Sequence, residues 1–162
     1  MSKIKLTVLG NSGAYPTIYN ACSGYLVETN KAKILLDCGS GVYQRLIQRI
    51  DIKDLDAIVL SHLHSDHISD ILVLRYALQF RNLPPVKLFM PEKPEAESYI
   101  LKNSPQFDVQ IIRENEKFRV KGVVLEFAQV KHSVMTFATR IKTDKNVRVY
   151  TGDTEDTAVI GV

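Results

Sequence analysis

The stretch SHLHSDHISD, residues 61–70, packs three histidines and two aspartates into ten positions, and the whole chain has four histidines. It follows directly on the apolar run Ala57 to Leu60, which reads as a short buried strand. His62 and His64 are two apart just beyond that strand, so extended geometry puts both side chains on one side. Asp66 and His67 fall at the start of a helix, where the chain reverses and both can converge on the same point. Imidazole and carboxylate are ligands suited to zinc, manganese or iron. Four such groups within six residues exceed what one zinc draws from a short segment. A metal pair about 3.5–4 Å apart shares them more naturally. The plain alternative is a polar loop with Asp66 as a helix N-cap, which leaves three histidines without a purpose. The H-E-x-x-H pattern of one-helix zinc sites is absent.

The 162 residues are 45% hydrophobic, enough for one domain with a core, and the net charge is +3. That mild excess fits anionic substrates without showing nucleic-acid binding. MSKIKLTVLG is too short in its apolar part to read as a secretory leader, so none is expected before Cys22 and Cys38, and no apolar run reaches the roughly 18 residues of a membrane span. The expectation is a cytoplasmic protein whose cysteines are reduced core filler.

Strands are expected at Ile4–Leu9, Gly24–Glu28, Lys33–Leu36 and Val86–Met90. Ser40 is expected to cap a helix from Gly41 to about Ile50. A second helix is expected from Asp66 to Gln79, apolar nearly all round and so packed on more than one side. A short surface helix is expected at Pro94–Lys102. Val109–Ile112, Val123–Val130, Thr136–Lys142 and Val147–Tyr150 read as successive antiparallel strands. The chain closes on the apolar DTAVIGV, as if cut.

H-x-H-x-D-H, written here as His62-Leu63-His64-Ser65-Asp66-His67, resembles the signature of the metallo-β-lactamase fold. LGNSGAYPT, LLDCGSGVYQRL, LDAIVLSHLHSDHISD, VKHS with His132, and YTGDTE with Asp153 resemble, in order, motifs of its ribonuclease Z branch. The resemblance runs from Ile4 to Glu155. It implies an α/β fold, the αββα sandwich, as a single domain over 1–162. The first half would span about 1–105 and the start of the second about 106–162. It also implies that His62, His64 and His132 hold one metal. Asp66 and His67 would hold a second and carry the catalytic step, with Asp153 bridging. Asp37 would orient a ligand histidine. Two divalent cations, zinc first with manganese or iron as options, would lower the pKa of bound water towards about 7. A phosphodiester substrate follows from the branch, with nucleic acid as one form of it. A thioester or other small ester is an alternative. Lys131 and Arg140 could meet phosphate.

Two departures qualify the resemblance. Long ribonuclease Z enzymes insert a tRNA-gripping arm between the ligands matched by His132 and Asp153, whereas these two lie 21 positions apart here. The short-form, ribonuclease-Z-like members fit better. The family's closing segment, with a last ligand histidine, is also expected to be missing. The expectation is an incomplete second half, open apolar surface, homo-oligomerisation and a weak or empty second metal site. A non-catalytic, metal-poor scaffold or oligomerising module is the rival outcome. LLDCGSGV alone also resembles a methyltransferase cofactor loop, but the next strand ends in serine and histidine rather than an acidic residue. LGNSGAYPT lacks the Gly-Lys-Ser/Thr ending of a phosphate-cradling loop.

Overall fold

The structure, a computed structural model, describes residues 4–155. The closing DTAVIGV therefore lies outside the described residues. Among the described residues eleven strands form two sheets, with helices on one side. The first sheet has the order β2-β1-β3-β4-β5-β6-β7 and the second the order β11-β10-β9-β8. In chain order the first sheet holds β1 (Lys5–Ser12), β2 (Ala21–Cys22), β3 (Gly24–Glu28), β4 (Lys33–Leu36), β5 (Ala57–Val59), β6 (Val86–Met90) and β7 (Phe107–Ile111). The second holds β8 (Lys117–Val120), β9 (Val123–Val130), β10 (Thr136–Lys142) and β11 (Val147–Tyr150). The helices are α1 (Val42–Ile47), α2 (Ser65–Ile68), α3 (Ile71–Phe80) and α4 (Glu95–Lys102).

The apolar runs Ile34–Leu36 of β4, Ala57–Val59 of β5 and Leu88–Met90 of β6 follow from their place in the middle layer. A strand alternates its side chains between faces, so one covered on both faces needs apolar residues throughout. Leu35, Ile58, Leu60, Leu88 and Met90 pack with Val42, Leu46, Leu74 and Leu78 of the helices. Their neighbours Ile34, Leu36, Ala57, Val59 and Phe89 pack with Leu125, Phe127, Phe137 and Ile141 of the second sheet. Phe89 bridges the sheets, its ring 5.0 Å from that of Phe118 and 6.3 Å from that of Phe127. The outer face of the second sheet, at Arg140 and Lys142, is exposed and carries no helix among the described residues. Among the described residues this is the sandwich expected from the motifs, with helices on the first sheet alone.

Four expectations need correction. β7 pairs parallel with β6 in the first sheet rather than antiparallel with later strands. The crossing to the second sheet comes after it, before β8, a strand too short and charged to show in the sequence. Ser40 does not cap α1: Gly41 holds that position at φ 85°, and the Asp70 carboxylate accepts from the Tyr43 amide at 2.9 Å. The expected helix 66–79 is broken into α2 and α3, because Asp70 is tied to this second task and its amide donates to the Cys38 carbonyl. α3 buries Ile71, Leu74 and Leu78 on one face, while Tyr76 and Phe80 are exposed.

The parallel β4 and β5 point their C-terminal ends at one rim, and β9 runs the same way towards His132. The turns at 29–32, 121–122 and 143–146 lie at the other rim, where Lys121 pairs with Asp56 at 2.6 Å. At the first rim the segments after β4 and β5 are laced together. The amides of Asp37 and Cys38 donate to the carbonyls of Val59 and His67, each at 2.8 Å. Gly39 lies so close to α2 that a Cβ there would stand 1.8 Å from the Asp66 carbonyl oxygen. Backbone cannot yield as a side chain can. Gly39→Ala is expected to cost about 3 kcal/mol or more in urea unfolding. Gly13→Ala, where an added Cβ meets nothing within 4 Å, should stay within about 0.5 kcal/mol of the parent.

Candidate metal centre

Each element contributes its side chains at the same rim. β5 delivers Ser61 and His62, the stretch leading into α2 delivers His64, and α2 itself carries Asp66 and His67. His132 sits in the turn between β9 and β10. That turn is held by the Phe137 amide, which donates to the Ser61 carbonyl at 2.9 Å. Asp153 follows β11, and Gly152 makes its approach possible: φ is 58° and a Cβ there would meet the Ser61 side chain at 2.7 Å.

The structure gathers five of the six expected ligands into two groups that share His62, and sets Asp66 beside the second of them. Donor atoms of His62, His64 and His132 lie within 4.8 Å of one another, as do those of His62, His67 and Asp153. His132 Nε2 is 3.3 Å from His64 Nδ1. Two nitrogens bound to one tetrahedral cation at about 2.0–2.1 Å stand about 3.3–3.4 Å apart, so this spacing fits a shared ion. His67 Nε2 faces Asp66 Oδ2 at 3.7 Å and Asp153 Oδ1 at 3.5 Å. His62 is fully buried, its Nδ1 lies 3.0 Å from Ser61 Oγ, and its Nε2 has no hydrogen-bond partner. An unpartnered buried nitrogen is costly in an empty protein and is satisfied by a cation. The donor set therefore fits a divalent metal centre.

Asp37 underlies the second group. It is fully buried and at φ 55°. Its Oδ1 accepts the Ser61 amide at 2.7 Å, and its Oδ2 accepts Ser61 Oγ at 2.9 Å and His67 Nδ1 at 2.6 Å. The Tyr150 hydroxyl also donates to Oδ2. With Nδ1 donating to Asp37, His67 turns Nε2 towards Asp66 and Asp153. Sequence reading missed Ser61 and Tyr150. Each is the first residue of a quoted stretch, SHLHSDHISD and YTGDTE, but nothing in the pattern of residues gives them a partner. Lys131 and Arg140 pair with Glu155 and Glu126. Cys22 and Cys38 are free and buried. Burial first, and then the charges of Asp70 and Asp37, push the Cys38 thiol well up, so it is no nucleophile.

The sequence profile of the metallo-beta-lactamase superfamily matches residues 19–161. The chain belongs to that superfamily. This metallo-β-lactamase domain is 45% identical over 76 residues to the Bacillus subtilis (strain 168) protein YhfI, a match covering 47% of the chain and 31% of YhfI. It is 25% identical over 144 residues to a ribonuclease Z of Methanopyrus kandleri, covering 88% of the chain and 52% of the relative. The crystal structure of YhfI superposes with a TM-score of 0.87 at 28% identity, over 93% of this chain and 63% of that one. The short form of human tRNase Z superposes at 0.77 with 16% identity, over 93% and 69%, a likeness of fold. The chain thus spans about half or less of the length of these curated relatives. Among the described residues no helix is long and apolar enough to cross a membrane.

His62 and His67 differ in protonation. Burial, then the charge of His67, lowers the pKa of His62 to about 4. Burial also opposes the charge on His67. The Asp37 hydrogen bond, with the charges of Asp37, Asp153 and Asp66, outweighs it and raises that pKa. In metal-stripped protein, unfolded His62 takes up a proton near pH 6.5 and folded His62 only near 4. Between those values the unfolded state binds more protons, so stability falls as pH falls. His67 acts in the opposite sense, but above 6.5: its contribution is complete below that pH and fades as pH rises through its raised value. Urea unfolding in a chelator should show a loss of about 2 kcal/mol between pH 6.5 and 4.5. His62→Asn should flatten that loss while the surface carboxylates titrate unchanged. Equal slopes in the two proteins would contradict the assignment.

Proposed function

We propose that this chain is the metal-holding part of a metal-dependent hydrolase of the short ribonuclease-Z-like kind, acting on a phosphodiester. The convergence of six imidazole and carboxylate donors at one rim carries the reading. In it, His62, His64 and His132 hold one divalent cation, zinc being the first candidate. Asp66 and His67 hold a second, with Asp153 between them. When bound, such a pair acidifies water towards a pKa of about 7 and polarises the scissile oxygen.

The chain's own residues supply the rest. Asp37 fixes the tautomer and direction of the His67 ring. Asp66 Oδ2 lies 3.7 Å from His67 Nε2, a spacing at which the carboxylate and the imidazole can share the second cation. Residues 136–150 between His132 and Asp153 are taken up by the β10–β11 hairpin, which favours a substrate gripped without an inserted arm. The free, buried cysteines suit a reducing compartment such as the cytoplasm.

Purified protein given zinc or manganese is expected to hold two equivalents and to hydrolyse bis(p-nitrophenyl) phosphate. His64→Ala and His132→Ala should each reduce kcat/KM about 100-fold or more. A protein that holds both cations yet leaves the diester intact, while cleaving a thioester, would move the substrate class. One that takes up no cation would leave the non-catalytic scaffold.

A further inference from the structure

Asp37 Oδ2 has a donor from outside the histidine-bearing segment 61–67. Three of the four hydrogen bonds to this carboxylate come from the segment 61–67, two from Ser61 and one from His67. The fourth comes from Tyr150, on the opposite sheet. The Tyr150 hydroxyl also lies 3.0 Å from Ser23 Oγ, and its ring packs on Tyr25 with centroids 5.1 Å apart. These contacts leave the phenol one orientation. Burial first, then the Asp37 charge, keeps its pKa well above the ordinary value, so the hydroxyl remains a donor.

Tyr150 is the last residue of β11, and β11 is an edge strand paired with β10 alone among the described residues. Three residues later the same strand end delivers Asp153 to His67 Nε2. One hydroxyl thus touches both sides of the second group. It steadies the carboxylate behind the His67 ring, and it moors the strand end that carries the carboxylate in front of it.

We infer that Tyr150 is a positioning residue for the second cation, acting through Asp37 and the β11 terminus without touching metal or substrate. This rests on the reading of the rim as a two-cation centre. Removing the hydroxyl leaves Oδ2 with two donors and the edge strand without its cross-sheet tie. Groups that orient a ligand in this way typically change metal affinity about 10- to 100-fold.

Tyr150→Phe deletes the hydroxyl and keeps the ring against Tyr25. Zinc binding by chelator competition, on the whole chain at pH 7.5, should show the weaker equivalent loosened about 10- to 100-fold and the tighter one unchanged. Nitrogen-15 NMR of the metal-free protein supplies an independent readout. The His67 Nδ1 proton, shielded by Asp37 in the parent, should be lost to exchange in Tyr150→Phe, with the His64 and His132 signals unmoved. Equal weakening of both equivalents would mark Tyr150 as merely structural and overturn the inference. So would unchanged zinc binding with an unchanged His67 signal. Should the parent protein take up no zinc, the two-cation reading fails by itself. The His67 proton then decides for Tyr150: its loss in the variant supports the positioning role and its retention overturns it.

Discussion

A carboxylate buried from all solvent has to be held by hydrogen-bond donors or given up, and Asp37 is such a group. Its donors fix the geometry around it: a backbone amide and a hydroxyl from Ser61, an imidazole from His67, a phenol from Tyr150. They come from the end of β5, from α2 and from the second sheet. The fold can satisfy the charge only by bringing those three places together, and that same assembly brings the histidines to one point. The requirement of a single buried charge therefore sets the arrangement of the rim as much as the apolar cores do.

The backbone supports this in detail. Asp37 sits at φ 55°, an unfavourable conformation for a residue with a side chain, and its amide and that of Cys38 are both spent on neighbours across the rim. Gly39 then lets α2 lie against the turn at a distance no other residue allows. Asp70 serves both sides, ending α2 and capping α1. Strain at Asp37 is tolerated because the surrounding hydrogen bonds leave it no alternative.

Much of this was legible in the residues. β3, β4, β6, β9, β10 and β11 fall where the apolar patterns put them, because each is bounded by turn residues or a clear change in periodicity. Of the six candidate ligands, His62, His64, Asp66 and His67 stand out by their chemistry and spacing, and the resemblance of VKHS and YTGDTE to family motifs adds His132 and Asp153. Three kinds of information were not. Whether β7 continues the first sheet depends on a partner, β6, rather than on its own five residues. The break at Asp70 arises from a bond to Tyr43, 27 positions away, which no local window contains. Tyr150 reads as an ordinary strand aromatic until the second sheet is laid over the first.

The two rims of the sandwich also divide its labour. Chemistry-bearing groups gather where β4, β5 and β9 end, while the tight turns at 29–32, 121–122 and 143–146 gather at the other end. Lys31 and Lys145 are exposed there. A linker, fluorophore or solid support attached through those lysines would leave the histidine rim facing outwards, so immobilisation by this end orients every molecule the same way.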